Sequence, residues 1–458
     1  MKRMTPFRAV VGLAAGLCLI AGAPAQAKEK KTQDAKTHSA KAHGHKLARH
    51  AGIAGLAVHA AIKQLTFADL DGWQNDDTAT AFTTFMKSCG AILQGSKAER
   101  RERPLFSGLY NACEHGKAAG TLDAAQARKF FEANFKPVRI LPPVHTYGFY
   151  TGADGFFTGY YEAEVDGSRF PSDEYKVPLY RPPQNAIGRK STVFAQYDRK
   201  EIVDGALAGK GLEICWVKDP VDGFFAEIQG STRIKLDTGE LLRLNYIASN
   251  GKPYTPVGRI LIAEGIVTPE EMSMDKIREY MEAHPNKGAE LRFKDRSYVF
   301  FSETTLGPKD ECVGAQGVPM TPWRSLAVDS RLHIYGVPIW IDARFPINGL
   351  APVDTFQHLM VAQDTGAAIR GPARADIYFG HGGDATHIAG RIKQFGKFVM
   401  MVPKDVAVHG EEQPNAIPLP RPRPNEIAVQ EAMAKGKDAG AAPAADKPVA
   451  APLPQPRP

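Results

Sequence analysis

The chain has 458 residues, of which 43% are hydrophobic and 23% are charged, and its formal net charge is +7. This composition suffices for one large or two medium domains with buried cores. Lys2, Arg3, Arg8 and a Lys/His-rich segment at 28–50 account for the positive excess, so the remainder is close to neutral. The charge therefore gives no reason to expect a nucleic-acid partner.

Residues 1–27 have the pattern of a secretory signal peptide. A basic start precedes an apolar stretch, and small residues at Ala25 and Ala27 predict cleavage after Ala27. The apolar run is too short to predict a membrane-spanning helix. Cys18 follows Leu17, where a lipoprotein signal would have Gly or Ala. We expect a periplasmic protein whose contact with the membrane is at most peripheral.

Four cysteines remain after this cleavage: Cys89, Cys113, Cys215 and Cys312. Export would place them in an oxidising compartment. Cys89 and Cys113 flank a short helical region and are the predicted disulfide, although their spacing alone does not prove it. None lies in a Cys-x-x-Cys motif, so we expect no thiolate zinc site.

Helical spacing predicts helices at 78–93 and 121–135, the latter with Thr121 as N-cap. A third helix is predicted at 268–283, where Thr-Pro-Glu-Glu forms a capping box. Short β-branched or aromatic segments predict strands at 226–236, 241–248, 296–303, 337–343, 356–364 and 397–403. The uneven mixture argues against a βαβ repeat and favours a mostly β or α+β fold.

Both ends of the chain lack a packable face. The Lys/His-rich arm at 28–59 and the Pro/Ala-rich tail at 409–458 are predicted to be disordered. The tail contains PLPRPRP and PLPQPRP, near-copies typical of extended polyproline structure. A plain spacer is the simpler interpretation, and a docking motif for a cell-wall protein partner is the alternative.

The segment 156–168, FFTGYYEAEVDGS, concentrates aromatic residues around a glycine. Aromatic side chains in a strand usually pack in a core. Flat rings edged by hydroxyls, as at Thr158, Tyr160 and Tyr161, also suit a sugar platform. Both interpretations stay open on the residues alone.

A polar break interrupts the strand pattern at 226–234, where Gln229, Gly230 and Ser231 follow each other. A glycine within a strand indicates either a β-bulge or close approach by another group. Taken alone, the bulge is the simpler interpretation.

The segment 374–391, RADIYFGHGGDATHIAGR, follows an apolar strand that ends at Asp364. An aspartate at a strand end near glycines, such as Asp376, serves as a turn cap or reaches a groove floor as a catalyst. His381, Asp384 and His387, spaced three apart, are candidate metal ligands, but two glycines follow His381, so we expect neither a helix there nor a metal site. The chain has no GxSxG elbow, P-loop or dinucleotide fingerprint.

Eight motifs occur in a fixed order along residues 100–405: FTGYYEAEVDGS, VPLYRPP, AEIQGSTRI, GKPYTPVGRILI, MSMDKIREYMEAHP, RSYVFFSE, GVPMTPWRSLAVDSR and QDTGAAIRG…ADIYFG…AGR. Together they closely resemble the membrane-bound lytic transglycosylase A family of murein-cleaving enzymes, including its terminal 3D domain. The resemblance implies a mainly β fold with a few helices. It implies a double-psi β-barrel domain formed by 60–165 and 306–408, with a second β-barrel-like domain inserted at 166–305.

The resemblance also implies the site residues. Asp376 matches the family's catalytic aspartate, Asp364 matches a supporting one, and Asp329 would be the third of the set. The implied substrate contacts, besides Asp329, are Thr158, Tyr160, Gln229, Gly230, Ser231 and Tyr254. Two departures from the family pattern, Thr232 and Ala367, are expected to narrow the groove.

The implied reaction cleaves the β-1,4 bond between MurNAc and GlcNAc of peptidoglycan and forms a 1,6-anhydro-MurNAc end. An ordinary glycosidase needs two carboxylates. When the sugar's own 6-hydroxyl is the nucleophile, one aspartate that acts as acid and then as base suffices, with no cofactor. The alternatives are a non-catalytic peptidoglycan-binding scaffold, a murein hydrolase that uses water, and a zinc hydrolase through His381 and His387.

Overall fold

The computed structural model describes residues 60–95, 104–147, 150–183 and 196–408. The predicted signal peptide, arm and tail lie outside these residues. The described helices are α1 (Thr78–Ile92), α2 (Pro104–Ala119), α3 (Ala124–Asn134), α4 (Arg199–Glu201), α5 (Pro220–Gln229), α6 (Val257–Ala263), α7 (Met274–Ala283), α8 (Pro285–Lys294) and α9 (Gly382–Ala389). The described strands are β1 (Ala61–Gln64), β2 (Phe135–Leu141), β3 (His145–Tyr147), β4 (Tyr150–Gly152), β5 (Gly155–Ser168), β6 (Val177–Tyr180), β7 (Glu213–Val217), β8 (Ser231–Leu236), β9 (Leu241–Ser249), β10 (Val299–Glu303), β11 (Ser325–Val328), β12 (Pro338–Phe345), β13 (Asp354–Asp364), β14 (Arg374–His381) and β15 (Lys393–Pro403). The described part is mainly β-sheet with some helices, as predicted.

Six strands pair in a closed cycle. β5 pairs with β14, β14 with β11, β11 with β13, β13 with β12, β12 with β15, and β15 returns to β5. Because successive side chains of a strand point to opposite faces, each strand offers one face to a common core. Ile341, Met360, Ile377 and Phe398 are fully buried in that core. The opposite face of β5, β11 and β14 carries both polar residues and a second, smaller apolar cluster that includes Tyr160, Ala327 and Tyr378.

Helices α1, α2 and α3 pack beside this cycle. Asp77 caps α1 by accepting a hydrogen bond from the backbone N–H of Thr80. Cys89 in α1 and Cys113 in α2 form a disulfide, which confirms the predicted pairing. Both half-cystines are 0% exposed, so the bond lies inside the helical layer.

Strand β5 is 14 residues long and continues beyond the cycle. Its second half pairs with β8 and β7, and β9 and β10 follow β8 in the sheet. Helices α5 to α8 pack together around the buried side chains of Phe224, Leu261, Met281 and Leu291. This helical layer belongs to the part of the chain between β5 and β11. Within the described ranges, no helix is long and apolar enough to cross a membrane.

A buried ion cluster joins the two parts of the sheet. Glu162 in β5 is 0% exposed and accepts hydrogen bonds from Arg233 and Arg243. The two guanidinium groups also donate to backbone carbonyls of residues 307–310. Removing one partner of a buried ion pair costs about 3–5 kcal/mol. The cluster therefore fixes the chain where it returns to the six-strand cycle.

Two predicted helix starts are wrong. α3 starts after Asp123 rather than Thr121, because Asp123 forms the capping box and carboxylates are strong N-caps. α7 starts after Ser273. The predicted box between Thr268 and Glu271 does form, but it closes a single turn instead of opening a helix.

The strand predicted at 226–236 is also wrong in its first third. Residues up to Gln229 form the last turn of α5, and Gly230 ends that helix in the left-handed conformation, with φ of 81°. The strand begins only at Ser231. The glycine interpreted as a bulge is therefore a helix C-cap, a position that favours glycine because it carries no Cβ.

Candidate active site

A row of paired residues crosses five strands. Ala327 in β11 pairs with Asp364 in β13 and with Asp376 in β14. Asp376 pairs in turn with Thr158 in β5, and Thr158 pairs with Lys393 in β15. Paired residues point to the same face, and adjacent strands lie about 4.8 Å apart, so the Cα atoms of the two aspartates are about 10 Å apart. The row brings three predicted site residues to one face.

Alternation along β14 explains why Asp376 points outward. Its neighbours Ala375 and Ile377 are 0% exposed and pack in the core of the six-strand cycle. The side chain between them must then lie on the opposite face. Asp376 is partly exposed there, as is Thr158 beside it.

Covering segments lie on both sides of Asp376. The hairpin at 312–320 packs Cys312 and Met320 over the outward face of β11 and β14. At the other end of the row, the turn at 269–272 lies against Lys393. Asp376 and Thr158, both partly exposed, lie in the row between these two covers.

Among the residues that the structure describes, the carboxyl group of Asp376 has one side-chain hydrogen-bond partner, Thr158. Thr158 Oγ1 donates to Asp376 Oδ1 at 2.7 Å, and Arg374 Nη2 donates to the same hydroxyl at 2.7 Å. Burial raises the pKa of Asp376 above its ordinary value, while the positive charge of Arg374 and the hydrogen bond from Thr158 oppose the shift. A partly exposed carboxyl group with a raised pKa is suited to donate a proton.

Asp364 is held differently. Its Oδ1 accepts from the backbone N–H of Ala315 at 2.8 Å, and its Oδ2 accepts from Tyr160 Oη at 3.0 Å. Burial raises the pKa of Asp364, and the negative charge of Asp376 adds to this shift. Each oxygen accepts one of these hydrogen bonds, so Asp364 ties the 312–320 hairpin to the sheet. Tyr160, only 9% exposed, serves that contact from beneath the hairpin.

Gln229, Gly230 and Ser231 lie where α5 turns into β8. The side chain of Gln229 accepts a hydrogen bond from the backbone N–H of Tyr161 at 3.2 Å, which joins this turn to β5. The Gly230 carbonyl accepts from the N–H of Tyr246 at 2.6 Å. Gln229 and Gly230 are partly exposed, whereas Ser231 is 6% exposed.

The remaining predicted substrate contacts, Tyr254 and Asp329, differ in their exposure to solvent. Tyr254 is partly exposed, and burial with the negative charges of Asp295 and Asp376 raises its pKa, which places its hydroxyl in the electrostatic range of Asp376. Asp329 is 0% exposed and pairs with Arg331 at 2.6 Å. That ion pair lowers the pKa of Asp329, against the effect of burial. Asp329 reaches a ligand only if the ion pair opens.

The two departures from the family pattern have separate outcomes. Thr232 is 0% exposed and donates to the carbonyl of Ala163 at 3.1 Å. Its side chain lies in the sheet, so the expectation that it narrows a groove is wrong. Ala367 is exposed in the loop after β13.

The predicted absence of a helix after His381 is also wrong, because α9 spans Gly382–Ala389. His381 Nδ1 lies 2.9 Å from Glu164 Oε1, and His387 Nδ1 lies 3.3 Å from Asp275 Oδ2. The two histidines thus have different partners. In the described part of the chain, no group of three or more His, Cys, Asp or Glu side chains is arranged to hold a metal ion.

Two residues of the site, Arg374 and Lys393, have no role predicted from the sequence. Arg374 precedes Asp376 by two positions and therefore lies on the same face of β14. That spacing is the one signal that could have identified it. Lys393 opens a strand whose pairing with β5 is visible only in the fold.

Comparisons with known proteins agree on one family. Residues 156–302 match the MltA specific insert domain, and residues 324–402 match the 3D domain. The membrane-bound lytic murein transglycosylase A of Escherichia coli strain K12 is 33% identical over 255 residues, covering 54% of this chain. The chain spans 66% of that relative's own length, slightly less than two thirds.

Solved structures lead to the same family. The membrane-bound lytic murein transglycosylase from Agrobacterium tumefaciens is 31% identical with a TM-score of 0.64, over 75% of this chain and 98% of that one. The E. coli MltA structure with bound chitohexaose is 27% identical with a TM-score of 0.57, over 75% of this chain and 94% of that one. This chain therefore belongs to the membrane-bound lytic transglycosylase A family, as its motifs predicted.

Proposed function

We propose that the protein is a lytic transglycosylase that cleaves the bond between MurNAc and GlcNAc in peptidoglycan and leaves a 1,6-anhydro-MurNAc end. The observation that carries the proposal is Asp376, a partly exposed carboxyl group with a burial-raised pKa between two covering segments. The relatives are named lytic murein transglycosylases, and one solved relative holds chitohexaose, a β-linked sugar chain. Both names support a glycan strand as the substrate.

Asp376 acts first as an acid. Its protonated carboxyl group donates to the glycosidic oxygen, so the bond between that oxygen and C1 of MurNAc breaks as the leaving sugar gains a hydroxyl. The raised pKa keeps a larger fraction of the group protonated near neutral pH than a free aspartate would have.

The same group then acts as a base. The 6-hydroxyl of MurNAc attacks C1, and its proton passes to the carboxylate of Asp376, which restores the starting form. The glycosidic bond at C1 breaks and a bond between C1 and the 6-oxygen forms, while Asp376 gives up one proton and regains one. The reaction therefore needs neither water nor a second catalytic carboxylate. An intramolecular nucleophile of this kind gains from being held in place before the reaction.

Asp364 has a positioning role in this proposal. Its hydrogen bonds to Ala315 and Tyr160 hold the 312–320 hairpin against the sheet. Tyr160 then supports Asp364 rather than contacting sugar. Asp329, held by Arg331, has a structural role.

The glycan groove runs past the partly exposed residues of the site. Thr158 lies beside the acid, Gln229 and Gly230 form the turn that follows α5, and Tyr254 lies within electrostatic range. Ser231 contributes through its backbone at the start of β8. We assign these groups to substrate binding.

The wider assignments follow the same proposal. The closed cycle of six strands is interpreted as a double-psi β-barrel formed by 60–165 and 306–408, with 166–305 inserted. The proposal also includes cleavage after Ala27 and export to the periplasm, because peptidoglycan is found there. The Pro-rich tail at 409–458 is proposed as a spacer or a docking segment for a cell-wall protein.

The chemistry of the product tests the function. Purified murein treated with the protein is expected to release fragments that are lighter by one water than hydrolytic products, as mass spectrometry would show. Asp376→Asn should lower the rate by roughly 10²- to 10⁴-fold, the usual contribution of acid–base catalysis. Asp384→Asn, which changes an exposed carboxylate on α9, is the matched control and should keep the native rate. Reducing ends in the product, or native turnover by Asp376→Asn, would refute the assignment.

A further inference from the structure

Lys393 is held by three backbone carbonyl groups. Its ammonium nitrogen donates to the oxygens of Pro269 at 2.8 Å, Glu270 at 2.6 Å and Met272 at 2.6 Å. An ammonium group has three donors, so its hydrogen-bonding capacity is filled. Burial lowers the pKa of Lys393, and the charge of Glu270 opposes the shift.

The turn at 269–272 is shaped to accept this cation. The box between Thr268 and Glu271 closes one turn, and the N–H of Met272 donates to the Thr268 carbonyl. Since α7 starts only at Met274, the carbonyls of this turn have no following helical N–H partners. A lysine side chain is a favourable partner for such carbonyls. Tyr150 adds a fourth hydrogen bond, from its hydroxyl to Pro269 at 2.8 Å.

The contact joins two parts of the chain beside the acid. Lys393 lies within the match to the 3D domain, and the turn lies within the match to the insert domain. Lys393 pairs with Thr158, whose hydroxyl donates to Asp376. The turn is therefore fixed one strand away from the catalytic hydrogen bond. It covers the end of the row opposite the 312–320 hairpin.

We propose that Lys393 is a positioning residue that holds the turn at 269–272 as one rim of the glycan groove. The inference rests on the proposed function for the identity of the ligand, a glycan strand. Holding the rim in place before binding removes an ordering cost that the substrate would otherwise meet. The effect falls on affinity, because the hydrogen bonds of Asp376 do not include Lys393.

Lys393→Met tests the proposal on soluble glycan strands of defined length. The variant loses all three donors, and KM is expected to rise roughly tenfold through the added ordering cost, while kcat and its pH profile stay near native. Lys393→Arg retains several N–H donors and should restore most of the affinity. Lys397→Met is the matched control on the same strand, because Lys397 contacts only the side chains of Asp71 and Asp342 in the described structure.

The outcomes are distinguishable from those of the proposed function. A native KM for Lys393→Met, or a fall in kcat at unchanged KM, would refute the proposed role of Lys393 in holding the turn at 269–272. If the wild-type protein forms reducing ends, the transglycosylase assignment fails. The role of Lys393 is then still tested by equilibrium binding of the same strands to wild type and to Lys393→Met. Thermal unfolding of each variant shows that the compared proteins are folded.

Discussion

Thr158→Val is expected to move the alkaline limb of the activity profile. Thr158 Oγ1 donates to the carboxylate of Asp376 at 2.7 Å and so stabilises its charged form. Valine keeps the shape and removes the donor. A hydrogen bond to a charged group is worth about 1.5–3 kcal/mol, and 1.36 kcal/mol corresponds to one pKa unit. Because Asp376 is partly exposed, we take the lower end, which gives a rise of about one unit in its pKa.

The sign follows from the role of the acid. Asp376 must be protonated to donate, so a higher pKa extends activity to higher pH, and the alkaline limb of kcat/KM should move up by about one unit. The assay is the initial rate of release of anhydro-terminated fragments from murein across a pH series. Thr158→Ser retains the hydroxyl and serves as the control with an unmoved limb. A limb that stays in place, or moves to lower pH because Arg374 binds Asp376 directly, would refute the reasoning.

Two further predictions concern the supports of the site. Asp364→Ala removes the acceptor of the Ala315 N–H, so hydrogen exchange should accelerate in the hairpin at 312–320 while the core strands stay protected; unchanged exchange there would contradict the positioning role. Replacing Cys89 and Cys113 together by Ala should lower the free energy of unfolding by about 3.5 kcal/mol, since the bond closes a loop of 24 residues. Urea unfolding measures this effect, and an unchanged midpoint would refute it.

The sequence predicted the elements whose position is set by the local pattern of residues. Short β-branched or aromatic segments located β12, β13 and β15, and helical spacing located α1. The strand predicted at 226–236 failed because its first four residues, Ala-Glu-Ile-Gln, fit a helix end as well as a strand, and only the left-handed Gly230 separates the two. Helix starts were misplaced where two polar residues compete for the cap.

Contacts between residues that are distant in the sequence could not be predicted from this local pattern. The Thr158–Asp376 hydrogen bond joins positions 218 residues apart, and the Arg374–Thr158 bond spans 216. The parallel pairing of β5 with β14 brings these groups together, and nothing in either segment encodes its register. The role of Lys393 was likewise invisible, because its partners are backbone carbonyls that any sequence at 269–272 would supply.

The environment of Asp364 bears on the choice between a sugar nucleophile and water. An inverting hydrolase places its two carboxyl groups roughly 6.5–9.5 Å apart so that a water fits between the base and the sugar. Asp364 and Asp376 lie on one face of the sheet with their Cα atoms about 10 Å apart, and a separation of that order does not by itself exclude water attack. As the base, Asp364 would have to hold the water through the second lone pair of an oxygen that already accepts from Ala315 N–H or Tyr160 Oη, and these two hydrogen bonds stabilise the carboxylate and so weaken it as a base. The attack of the 6-hydroxyl needs no base at Asp364, so the hydrogen bonds of Asp364 favour the sugar nucleophile over water.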